Sequence, residues 1–306
     1  MPKAMLRIFA VLAVVIGTMG AAVAQSTNDN SAWKPVETAM GRSGKAQPDG
    51  TFKFAMPRSD MKVTVAGTPI KAGLALGSWA AFEGTLDHAM VMGDLVLTED
   101  EVEPVMLKLQ EEGIKETAVH NHLLREQPRV LYMHIESHGP AVPMAKAIHD
   151  ALALTKTPAA APASASGEQN LGIDPARLDA ILGRKGKVNG GIYQVSVPRA
   201  DKITDEGMDV PPSMGTATAL NFQPTGSGRA AITGDFVLLP SEVNPVLKAL
   251  RENGIQVTAL HSHMLNDQPH LMFMHFWAND DASKLAKGLR VALDQTKSAE
   301  VERASK

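Results

Sequence analysis

Two short stretches hold most of the residues able to do chemistry. The first contains His120-Asn121-His122, then Gln127-Pro128, then Tyr132-Met133-His134. The second contains His261-Ser262-His263, Gln268-Pro269 and Phe273-Met274-His275, each histidine displaced by 141 residues from its counterpart. Three neutral imidazoles meeting at one point can bind a divalent ion and leave a further position for water, the ligand plan with which carbonic anhydrase brings the pKa of bound water to about 7. His120, His122, His134, His261, His263 and His275 are therefore the candidate metal ligands, with zinc or another divalent metal as the expected cofactor.

Convergence depends on pairing. Each stretch reads as a β-hairpin turning at Gln-Pro, so His120 and His122 share one strand face, as do His261 and His263. Opposed residues in an antiparallel pair also share a face, so a register in which paired residue numbers sum to an even value brings His134 and His275 to the same side. Met133, Met272 and Met274 then point away and read as core, which argues against copper-thioether chemistry despite 16 methionines. Asp94 and Asp235, each at the end of a buried strand, are the candidate catalytic or ligand-orienting carboxylates; the alternative is backbone capping at a Gly-Asp bend. Glu126 and Asp267 read as solvated turn carboxylates, and His88, His138, His149 and His270 as surface residues.

The elements that must carry these residues also repeat. Short alternating strands are predicted over Thr51 to Met56, Trp79 to Glu83 and Ala89 to Leu97, answered by Gly191 to Val197, Thr218 to Phe222 and Ala230 to Leu238. Gly93-Asp94 and Gly234-Asp235 within the last pair predict a bulge or a close backbone approach. A helix follows in each half, capped by Thr98 with Glu101 in one and by Ser241 in the other, and stopped at Gly113 and Gly254. After the hairpins, helices are predicted over Met144 to Thr155 and Ala282 to Thr296. Pro57-Arg58-Ser59-Asp60 answers Pro198-Arg199-Ala200-Asp201.

The expected fold is thus α+β, two tandem pseudo-symmetric β-β-β-α-β-β-α repeats whose sheets pair about a pseudo-two-fold axis. Hairpin strands apolar on both faces need cover on both sides, from helices on one and the other repeat on the second. The division is 1–24 a signal peptide, 25–40 a flexible N-terminal segment, 41–156 repeat 1, 157–170 a Pro/Ala/Ser linker, 171–298 repeat 2 and 299–306 a tail.

A formal charge of −3 supplies no basic face for nucleic acid, and the absence of cysteine removes disulfides, thiolate sites and cysteine nucleophiles. The leader predicts a periplasmic or secreted protein that is not transmembrane once cleaved. Gly93 to Met106, His120 to Val130, Tyr132 to His134 and their second copies resemble the LppY/LpqO family of exported bacterial proteins, a duplicated domain of unknown function. The resemblance implies export and duplication and supplies no reaction. Many members are lipoproteins; without a cysteine this chain has no lipid anchor. Three readings follow: a metal or small-ligand binder, with metal-assisted hydrolysis as the reaction class; a non-catalytic envelope interaction module with structural histidines; and a histidine pH switch.

Overall fold

The computed structural model describes residues 30–159 and 171–298. The predicted signal peptide, the tail and most of the linker lie outside the described residues. In the first repeat the order is α1 (Lys34–Met40), β1 (Lys45–Ala46), β2 (Phe52–Pro57), β3 (Val63–Val65), β4 (Thr68–Ile70), α2 (Ala72–Ala75), β5 (Gly77–Gly84), β6 (Ala89–Leu97), α3 (Glu99–Glu111), β7 (Lys115–His120), β8 (Glu126–Gln127), β9 (Leu131–Gly139) and α4 (Ala141–Leu152). The second continues with α5 (Pro175–Leu182), β10 (Lys187–Asn189), β11 (Ile192–Pro198), β12 (Thr204–Asp205), β13 (Met208–Asp209), β14 (Ala217–Gly226), β15 (Arg229–Leu238), α6 (Val243–Glu252), β16 (Gln256–His261), β17 (Met272–Asp281) and α7 (Ala282–Leu293).

Each repeat builds one antiparallel six-stranded sheet, in the order β1-β2-β5-β6-β9-β7 and β10-β11-β14-β15-β17-β16. The α+β duplication read from the sequence is what the chain forms. Three helices were not foreseen, the shortest being the single turn α2. α1 lies in the segment expected to be flexible, yet Val36 and Met40 are fully buried beneath the first sheet. α5 plays the same part in the second repeat through Leu178 and Leu182.

Alternation along the central strands sorts side chains into two layers. On β6 and β9, Val91, Leu95, Met133 and Ile135 face the helices, together with Phe52, Phe54, Val105, Leu109 and Ile148. The opposite face carries Met90, Met92, Asp94 and Val96 on β6 and Tyr132, His134, Glu136 and His138 on β9. It meets the matching face of the second sheet. Two apolar clusters there mix the repeats: Val65, Leu74, Val96 and Tyr132 with Ile192 and Trp277, and Ala81, Met90 and Met92 with Met214, Val237, Met264 and Phe273. Polar ties cross as well, with Lys71 N donating to Gln223 Oε1 at 2.7 Å and Lys53 Nζ to Ser213 O at 2.7 Å.

The Gly-Asp positions resolve in favour of close approach. β6 and β15 run through Gly93 and Gly234 without a register shift there. A Cβ at Gly234 would sit 1.8 Å from Ala219 O, and one at Gly93 would sit 2.8 Å from Trp79 O. The capping box at Thr98 and Glu101 forms, Thr98 N donating to Glu101 Oε2 at 3.0 Å. Ser241 is not the second cap: it lies inside a 3-10 turn over Pro240–Glu242, and Leu239 N donates to Glu242 Oε2 at 2.8 Å. Leucine has no side-chain acceptor, so only the glutamate half of the box remains there.

The paired Pro-Arg motifs acquire a role. Arg58 is buried, donating to Val96 O at 2.7 Å and to both oxygens of Glu101 at 2.7 and 3.1 Å. Arg199 repeats this with Val237 O and Glu242. Each arginine ties the end of one strand to the first turn of the next helix. Among the described residues no helix is long and apolar enough to cross a membrane.

Candidate metal centre

The predicted even register is present in both hairpins. His120 pairs with Tyr132 and Ala118 with His134; His261 pairs with Phe273 and Ala259 with His275. All six histidines reach the space between the sheets, and there the nearest imidazoles belong to opposite repeats. His120 meets His261 with centroids 3.5 Å apart, His122 meets His275 at 3.7 Å and His134 meets His263 at 3.7 Å. Tyr132 and Phe273 close the ends, stacked on His122 at 3.4 Å and on His263 at 3.5 Å.

The grouping of donors therefore differs from a trio within each hairpin. One close set is Asp94, His122 and His134; its dyad mate is Asp235, His263 and His275. Two others cross the axis, His120 and His122 with His261 and His275, and His120 and His134 with His263. The register explains the change. Because Tyr132 faces His120 across the strand pair, His134 stands one step further along, and His122 lies past the end of β7. Face-to-face packing then brings the other repeat's rings closer than those of the same hairpin.

Asp94 and Asp235 join the site because each is the direct strand neighbour of a histidine, Asp94 of His134 and Asp235 of His275. Their nearest approaches are 4.0 Å from Asp94 Oδ1 to His134 Nε2 and 3.9 Å from Asp235 Oδ1 to His275 Nε2. Burial pushes the Asp94 carboxyl up to about 8, partly offset by Lys53. Burial, with Asp94 nearby, drives Asp235 well above its ordinary range. Lys53, held over the Trp79 ring at 4.1 Å, is itself brought down to about 8 by burial. No sequence pattern marked Lys53, since the second repeat has Gln194 in its place.

Burial also keeps the imidazoles neutral. It lowers His120 to about 3 and His261 to about 4, and holds His122, His134, His263 and His275 well below 6.5. A neutral ring has one lone pair to give. His275 Nδ1 lies 3.0 Å from Gly234 O, which as a carbonyl can only accept, so the proton sits on Nδ1 and the Nε2 lone pair faces the centre. Both ring nitrogens of His120, Nε2 of His122, His134, His261, His263 and His275, and Oδ1 of both aspartates are buried without a hydrogen-bond partner. A buried polar atom left unpaired costs about 1–3 kcal/mol. So many in one place could serve as the donor set of a metal ion. The histidine groups are arranged so that they could hold one.

A family model described as Domain of Unknown Function (DUF1259) matches residues 34–154 and again 176–295. The chain belongs to the DUF1259 family. The match supports the duplicated domain of unknown function inferred from sequence, without establishing the LppY/LpqO name. Comparison with curated proteins found no match. Among solved structures, a trimeric bacterial microcompartment shell protein PduB is similar at 12% identity, covering 83% of this chain and 94% of that one with a TM-score of 0.20. EtuB from Clostridium kluyveri follows at 7% identity, 81% and 87% coverage and a TM-score of 0.19. At these scores neither bears on what this DUF1259 chain does.

Two sequence readings need correction. Glu126 is not a solvated turn residue: both carboxylate oxygens are buried without a partner, and burial pushes it up to about 8. Asp267 is buried too, accepting from Leu271 N at 2.6 Å. His138 is not a free surface residue either. Its Nε2 is enclosed 3.4 Å from Glu136 Oε1, because its position on β9 shares the inward face with His134.

Proposed function

We propose that this DUF1259 protein binds divalent metal at the interface of its two repeats, one ion to each dyad-related set, Asp94 with His122 and His134 and Asp235 with His263 and His275, with His120 and His261 between them. The observation that carries the reading is the concentration of neutral, buried, unpartnered imidazole nitrogens contributed by both halves. Imidazole-rich sets with a carboxylate suit zinc and other borderline ions better than calcium or magnesium.

Binding rather than turnover is the activity favoured. The space beside His134 and His263 is a cavity of about 20 Å³, room for roughly one water. A metal-activated water fits there, and the hydrolase reading rests on the donors themselves. The non-catalytic reading rests on the ring stacks, whose 3.5 to 3.7 Å spacing alone would pack the two sheets. The location proposed is outside the cytoplasm after cleavage near Ala24, and N-terminal sequencing of the mature protein should begin at Gln25.

Elemental analysis of untagged protein prepared without chelator separates metal binding from structural histidines. The expected result is about two equivalents of a transition metal per chain, with His122→Ala losing at least one. Metal-free protein that also gives no heat on titration with zinc would overturn the reading.

A further inference from the structure

A second cluster of potential ligands lies off the axis, outside the histidine stack. Glu136 and His138 come from the inner face of β9, and Asp205 from the β12–β13 hairpin of the other repeat. Their donor atoms all lie within 4.8 Å of one another. Asp205 is fully buried and Glu136 is 2% exposed. Both oxygens of Asp205, Oε2 of Glu136 and Nε2 of His138 have no hydrogen-bond partner. Glu206 lies at the rim, 3.8 Å from His138 Nε2, and its other oxygen holds Lys115 at 3.0 Å. Two enclosed carboxylates thus face each other while the nearby lysine is engaged elsewhere.

The other repeat fills the equivalent corner differently. Glu136 and His138 correspond to Trp277 and Asn279 at the usual offset. One residue fewer separates Arg199 from the second hairpin, so Asp205 and Glu206 correspond to Val65 and Ala66. The backbone confirms this alignment: Ala66 and Gly67 have φ of 49° and 80°, Glu206 and Gly207 of 44° and 84°. Thr64 and Thr204 likewise pair with Gln127 and Gln268. In the first hairpin's corner Val65 and Trp277 belong to one apolar cluster, and Asn279 is satisfied by Thr68 and Thr225. The same architecture therefore closes with a valine and an indole on one side, and presents two carboxylates and an imidazole on the other.

We propose that Glu136, His138 and Asp205 form a second divalent-cation site, distinct from the histidine centre and present once per chain. Two carboxylate oxygens with one imidazole suit a hard or borderline ion such as manganese better than a thiophilic one. The ion neutralises two negative charges that would otherwise oppose each other in a water-poor corner. It also joins β9 of the first repeat to the hairpin of the second. His138, with its side chain 21% exposed, and Glu206 at the rim are the route from solvent. The site does not depend on the dyad histidines holding metal.

The test uses the full chain, stripped of metal by dialysis against chelator and titrated with Mn2+ while the resonance of free Mn2+ is followed. One equivalent should be taken up with a defined affinity. Glu136→Gln, Asp205→Asn and His138→Gln should each weaken it at least about tenfold, since even outer ligands of a metal site are worth that much. His122→Ala should leave this uptake unchanged while emptying the histidine centre, so failure of either site is read separately. His138→Gln changes a partly exposed side chain and keeps the test sound if a buried variant does not fold. Uptake unaffected by His138→Gln and Glu136→Gln, or no uptake by the wild type because the two carboxyls share a proton instead, would overturn the proposal.

Discussion

Buried charge at single positions divides this chain into groups that are answered and groups that are not. Arg58 is answered, by Glu101, Asp60 and a backbone carbonyl. Arg58→Met would strand the Glu101 carboxylate, and breaking such a pair costs about 3–5 kcal/mol, measurable as a shift in the denaturant midpoint. Glu101 itself is raised by burial but lowered further by Arg58 and by the amides of Thr98 and Lys156, for a net depression. Its folded value lies below its unfolded one, so its contribution is full above about pH 4.3 and is lost as pH falls further. Thermal unfolding followed from pH 6 downwards should show that loss, flattened in Glu101→Gln. Glu126 has the opposite sign. Raised to about 8 by burial, it favours folding below its unfolded value and loses that contribution as pH rises toward 8. Glu126→Gln should therefore stabilise the protein at pH 9 and leave it nearly unchanged at pH 4. The six histidines were legible as residues because the triple occurs twice. Asp205 and Lys53 were not, since neither has a counterpart of its own kind to mark it.

At the level of elements, pattern and period were enough for the five longer strands of each sheet and for the helices at α3, α4, α6 and α7. They failed at α1 and α5, short helices whose apolar residues are too few to show a period: Val36 and Met40 in one, Leu178 and Leu182 in the other. The small β3–β4 hairpin and its mate escaped for the same reason. The even register of the histidine hairpins could be named as a condition from sequence, but the position of His134 opposite Ala118 depends on the bulge between Glu116 and Ala118. Close strand packing gives a direct test. Gly234→Ala would drive a methyl against Ala219 O, and crowding of a packed interior costs about 1–3 kcal/mol or more. Gly93→Ala meets its neighbour less closely and should cost less, the two being compared by chemical denaturation.

For the molecule as a whole, the two halves complete each other. Their shared face holds apolar residues of both repeats as well as the imidazole pairs. A fragment ending at residue 159 would expose Met90, Met92, Val96 and Tyr132 to water, so it should self-associate, using its own copy as a stand-in for the missing half. Light scattering on the purified fragment checks this; a stable, cooperatively folding monomer would show that the repeats are independent. That the halves pair was legible from strands apolar on both sides. Which rings meet across the axis was not, because no spacing within one chain segment encodes the distance between two sheets.

Duplicates ordinarily drift apart, and here the freedom to drift is uneven. His120 and His261 stand against each other on the axis, so a replacement in one copy disturbs donors that both copies use, and the triple has stayed identical in the two. Away from the axis each copy keeps a corner to itself, and there one now carries glutamate where the other carries tryptophan. Symmetry at the centre and divergence at the margin are both what a shared midline would impose on two descendants of one ancestral unit.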